Sequence, residues 1–62
     1  MTLSPATLKD FVITTLLAEG RLVDGEWVDR VVSAASAAAS MIGQFDIINK
    51  EMSRLHVAIL ES

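Results

Sequence analysis

Sixty-two residues, 52% of them hydrophobic, with a net charge of −3 and no cysteine, make at most one small domain without disulfides or thiolate metal sites. The five Lys and Arg residues are scattered singly, so no basic cluster can neutralise phosphates, which argues against sequence-independent DNA or RNA binding. A lone chain of this length buries only about 60% of its unfolded surface, and a mean hydropathy of +0.47 leaves apolar surface for which a second copy of the chain is the simplest cover.

The N-terminus lacks a charged segment followed by an apolar one, so it does not read as a secretory signal. Residues 3–20, LSPATLKDFVITTLLAEG, instead carry a full set of helix signals. Ser4 is a good N-cap, and Pro5 falls at the first helical position, where its missing N–H costs nothing. Leu3 and Leu8 have the spacing of a hydrophobic staple. Leu8, Phe11, Val12, Leu16 and either Ala18 or Leu17 form an apolar face, and Gly20 is free to take the positive φ of a helix stop. The β-branched run Val12-Ile13-Thr14-Thr15 lowers intrinsic helicity, which packing must override.

Residues 20–30, GRLVDGEWVDR, admit two readings. Asp24-Gly25 has the form of a tight hairpin turn; alternatively one helix closes at Gly20 and Asp24 caps the next. The second is preferred. An isolated two-stranded hairpin is marginal in water, Val23 and Val28 make a second staple, and Glu26 and Arg30 are placed for an i,i+4 pair.

From Trp27 onward, alternating steps of four and three residues reach Val31, Ala34, Ala38, Met41, Phe45, Ile48, Met52, Leu55 and Ile59, all apolar. A 3.5-residue repeat held over more than four heptads is the pattern of a left-handed coiled-coil seam. Asp29, Ser36, Gly43, Lys50 and Val57 then face away. Gly43 at an outward position disturbs no packing, so the pattern predicts one uninterrupted helix from about residue 25 to 60. With the short helix at about 5–19, the whole of residues 1–62 reads as a single all-α antiparallel helical hairpin.

A helix of about 15 residues spans about 22 Å, and one of about 35 spans about 52 Å. The short helix can therefore cover only the first half of the long one, where VVSAASAAAS offers small side chains. The second half, MIGQFDIINKEMSRLHVAIL, is left with a large seam. Met41, Phe45, Ile48, Met52, Leu55 and Ile59 are the expected self-association residues, each contributing about 1.5–3 kcal/mol on burial. Two copies, preferably antiparallel so that each short helix caps one end, give a four-helix-bundle-like or coiled-coil homodimer; parallel pairing and trimers or higher oligomers fit the same seam. Met41 and Met52 also suit an adaptable surface for a different protein.

Candidate chemistry is sparse. Arg21, Trp27 and Arg30 cluster at the start of the long helix, where free backbone N–H groups favour anions, and could hold a nucleotide-like ligand by pairing and stacking. Asp24, Glu26 and Asp29 bring opposing charge to the same place, and no glycine-rich phosphate loop is present. His56, four residues after Met52, lacks the further ligands a metal requires. Asp46, Lys50, Glu51 and Arg54 read as a solvated face. Ser33, Ser36 and Ser40 have no base spaced to activate them. Residues 31–45 are uncharged but fall short of the about 20 a spanning helix needs and contain three serines, which weighs against a membrane segment.

The resulting expectation is a cytoplasmic, non-enzymatic interaction module without cofactor or metal. It forms homodimers and binds a partner protein as a small regulator or inhibitor, of the kind that phage and plasmid accessory genes encode. The alternative is an oligomer that sequesters an anionic small ligand at Arg21, Trp27 and Arg30.

Overall fold

A computed structural model describes the backbone of residues 1–61 and the side chains of residues 1–55. The chain forms three helices, α1 (Pro5–Ala18), α2 (Gly25–Ser36) and α3 (Met41–Glu61), and no strand among the described residues. Helix α2 packs against both of its neighbours. The molecule measures 37 × 18 × 17 Å, so no single rod of about 52 Å is present.

Both ends of α1 follow from local chemistry. Ser4 sits in extended conformation (φ −69°, ψ 155°), and its hydroxyl accepts from the Thr7 N–H at 3.3 Å. At the other end Gly20 has φ +72°, the left-handed conformation that costs glycine nothing. That turn lets the Gly20 N–H reach the Leu17 carbonyl and the Arg21 N–H reach the Leu16 carbonyl, both at 3.0 Å, closing a Schellman motif. The Thr15 hydroxyl, placed in a β-branched run, bonds back to the Phe11 carbonyl at 2.8 Å.

Residues 20–30 take the helical reading. Asp24 caps α2, its Oδ1 accepting from the N–H groups of Glu26 (3.0 Å) and Trp27 (3.4 Å). The expected Glu26–Arg30 pair does not form; Asp29 instead meets Lys9 of α1 at 3.7 Å, tying the first two helices together at the surface.

The uninterrupted second helix is corrected. The chain leaves helical geometry at 37–40 and reverses, so that residues expected to lie on one rod form two packed helices. The last turn of α2 tightens into i→i−3 bonds, from Ala37 N–H to the Ala34 carbonyl (3.2 Å) and from Ala38 N–H to the Ala35 carbonyl (3.1 Å). Ser40 then restarts the chain: its hydroxyl accepts from the Gly43 N–H at 3.1 Å and its carbonyl from the Gln44 N–H at 3.0 Å. Gly43 is not the neutral outward position that the heptad pattern implies. A Cβ there would stand 3.3 Å from both the Ala38 Cβ and the Ser40 Oγ, so the position faces the reversal at close range and not open solvent.

Burial explains why the reversal wins over the helix preference of three alanines. The core is formed by Leu8, Val12 and Leu16 of α1, Val28, Val31, Val32 and Ala35 of α2, and Ile48 of α3. Leu3, Ile13, Trp27, Ile47, Met52 and Leu55 pack against its edge. A straight rod in a lone chain would leave Ile48, Met52 and Leu55 in water. Folding back recovers about 25 cal/mol for each Å² of apolar surface removed from it.

Gln44 is the one buried polar residue among the described side chains, 1% exposed. Its Oε1 accepts from the Leu3 N–H at 2.8 Å and its Nε2 donates to the Leu3 carbonyl at 3.2 Å. The Met1 carbonyl accepts from the Met41 N–H at 3.1 Å. The segment before α1 is thus bracketed onto the first turn of α3, and both polar atoms of a buried amide are satisfied.

Candidate interaction surfaces

The strip expected to pair two chains is in large part used inside one chain. Ile48 is 0% exposed, while Met41, Phe45, Met52 and Leu55 are half-buried. The premise that no helix remains to cover this half is overturned, because the reversal at 37–40 lays α3 against α2. The side chains of Ile59 and His56 lie outside the described residues.

What the fold leaves open is elsewhere. Phe11 of α1 and Phe45 of α3 meet edge to face, with ring centroids 5.1 Å apart and planes at 71°. Phe11 keeps part of its ring in solvent, and Ile42, one turn before Phe45 on the same helix, is 84% exposed. Residues three apart are neighbours on a helix surface, so Phe11, Phe45 and Ile42 form one apolar group along the line where α1 meets α3. At the α1–α2 junction Leu17 is 62% and Leu22 97% exposed, and Val23 is exposed as well. Isolated exposed apolar residues are ordinary; those that gather at one place mark contact sites more often.

None of these residues stands on the heptad seam apart from Phe45, and seam counting could not find them. A sequence signal did exist for Leu22, a large apolar side chain inside a connecting segment. Ile42 differs from its neighbour Met41 only in falling one position off the seam.

Arg21, Trp27 and Arg30 receive different surroundings. The Arg21 Nε pairs with Glu19 Oε2 at 3.0 Å, turned back toward the end of α1, and its side chain is mostly covered. Trp27 packs against the core, and Arg30 is exposed. The Glu26 and Trp27 N–H groups at the start of α2, the donors that an anion would use, are already taken by the Asp24 carboxylate.

The charged residues of α3 form local pairs. Lys50 meets Asp46 at 3.1 Å, and Arg54 meets Glu51 at 3.0 Å. Exposed pairs of this kind contribute little to stability. Among the described residues no group of three or more His, Cys, Asp or Glu side chains could hold a metal ion. Among the same residues no helix is long and apolar enough to cross a membrane. Comparison of the chain with protein-family models, with curated proteins and with solved structures gives no match.

Proposed function

We propose that the protein is a non-enzymatic protein–protein interaction module, homodimeric, that binds a partner protein as a regulator or inhibitor. The observation that carries this reading is the grouping of large apolar side chains left open by a completed core: Phe11, Ile42 and Phe45 on one face, Leu17, Leu22 and Val23 at the α1–α2 junction. Contact with another chain removes such surface from water. It also adds to the limited stability available to a domain of 62 residues.

Two measurements test the two halves of the proposal. Light scattering across a concentration series is expected to give a dimer whose population grows with concentration; a folded monomer up to millimolar protein contradicts self-association. Affinity capture from an extract of the source cells is expected to retain one partner that Leu22→Asp and Ile42→Asp release. Both positions are largely exposed, so the helical circular dichroism should be unchanged, and equal capture by the two variants contradicts partner binding through these surfaces.

A further inference from the structure

We infer that the connection at 37–40 is a hinge through which two copies of the chain exchange α3. In the exchanged dimer α2 and α3 fuse into one long helix, and each α3 packs on the α1–α2 pair of the other copy. This rests on the homodimer half of the reading above and gives it a geometry in which the exposed groups around Ile42 and Leu22 stay free for the partner protein.

Four observations carry the inference. First, the apolar register does not lose phase at the reversal. Trp27, Val31 and Ala34 on one side and Met41, Phe45, Ile48, Met52 and Leu55 on the other stay in a single 3.5-residue repeat, with Ala38 at the position between them. A permanent loop uncouples the phase of the helices that it joins, whereas a straightened helix requires the phase to be kept.

Second, the two connections of the fold are written differently. The α1–α2 connection is fixed as a turn by Gly20 at φ +72°, the Schellman bonds and the Asp24 cap. The α2–α3 connection is Ala-Ala-Ala-Ser, with no proline and no residue at positive φ. Alanine has the highest helix propensity of any residue, so this segment gains by becoming helical.

Third, straightening exchanges hydrogen bonds one for one. The Gly43 N–H now held by Ser40 Oγ and the Met41 N–H now held by the Met1 carbonyl would pass to the carbonyls of Ala39 and Ala37, the ordinary i→i−4 acceptors. The tight approach of the Ala38 Cβ and Ser40 Oγ to position 43, 3.3 Å from where a Cβ would stand, belongs to the reversed chain and is relieved by straightening.

Fourth, the exchanged dimer needs no new surface. The Gln44–Leu3 bracket, the Phe11–Phe45 ring pair and the seat of Ile48 re-form between chains with the same atoms. Only the entropy of association opposes it, which makes the balance depend on concentration.

The test uses the unaltered protein. Isotope-labelled and unlabelled chains are unfolded together, refolded at millimolar concentration, and the dimer is isolated. Nuclear Overhauser contacts between the Phe11 and Phe45 rings are expected to run between a labelled and an unlabelled chain. A dimer in which all of these contacts stay within one chain overturns exchange while leaving self-association standing; the absence of any dimer overturns both. Hinge variants supply a second readout. Ala38→Gly with Ala39→Gly, which penalises the straight helix in both chains, is expected to weaken the dimer on the order of a hundredfold. Gly43→Ala, which tightens the 3.3 Å contacts of the reversed chain while its helix-propensity gain is the same in both forms, is expected to strengthen it. A dimer indifferent to both substitutions overturns the assignment of 37–40 as the hinge.

Discussion

Ile48→Ala is expected to unfold much of the protein at room temperature, while Ile42→Ala leaves its stability within about 0.5 kcal/mol of the original. The two residues are chemically identical and lie six positions apart on the same helix, yet Ile48 is 0% and Ile42 84% exposed. Truncating a buried isoleucine removes the transfer free energy of its outer carbons and leaves a cavity, together costing about 2–5 kcal/mol. A domain of this length has only about 3–9 kcal/mol in total, at about 0.05–0.15 kcal/mol per residue. Urea denaturation followed by circular dichroism, at dilution where chains are separate, gives the comparison directly. Equal losses for the two variants would mean that α3 does not seat Ile48 in the core of its own chain.

Gln44→Glu converts a pH-independent contact into a pH-sensitive one. The glutamine offers Leu3 one acceptor and one donor; a carboxylate offers two acceptors, so one oxygen would face the Leu3 carbonyl across a bond now 3.2 Å long. The charge would also be placed at a site that is 1% exposed. Both effects raise the pKa of the new carboxyl in the folded state above its ordinary value of about 4.3. Below that value the group is protonated whether folded or unfolded, can donate to Leu3, and costs little. As pH rises from about 4.3 toward the raised folded pKa, the unfolded chain releases its proton first and stability falls. A loss of about 3 kcal/mol or more is expected at neutral pH, recovered on acidification to about pH 4. Gln44→Leu separates the two causes. It keeps the volume but deprives Leu3 of both partners, costing about 1–3 kcal/mol at every pH. Denaturation midpoints of the three proteins measured from pH 4 to 8 test this; a Glu variant with no pH dependence beyond that of the Gln form would place residue 44 in water.

The sequence disclosed most where structure is settled by neighbours in the chain. Ser4, Pro5 and Gly20 mark the limits of α1 to within a residue, and Asp24 decides that the DG pair opens a helix and not a hairpin. The reversal at 37–40 was hidden because its cause is not local. Three alanines favour helix, and the heptad phase runs through them undisturbed, so every nearby term argues for continuity. The deciding term is the water removed from Ile48, Met52 and Leu55 when α3 lies against α2, which a one-dimensional pattern does not contain. Ser40 and Gly43 were the available signs. Serine before Met41-Ile42 is a reasonable cap, and glycine three residues later is outward on the heptad repeat yet lies toward the turn in the folded chain.

Gln44 was illegible for a related reason. On the helical repeat it is a polar flank of the seam, ordinarily a solvated position, and its partner is the backbone of a residue 41 positions away. The exposed groups around Ile42 and Leu22 show the same limit from the other side. Which apolar residues remain available to another molecule depends on which ones the fold has already consumed.

The bracket between Leu3 and Gln44 also has a consequence for how motion in the molecule can be observed. Leu3 precedes the first helix, in backbone that belongs to no helix, where an amide without a partner would ordinarily trade its hydrogen with solvent almost at once. Its N–H is instead held at 2.8 Å by a side chain of α3 and is released when the segment before α1 and that helix part. The deuterium uptake of this single amide therefore clocks the parting of the two segments that the bracket joins, separately from the fraying of α3's own backbone.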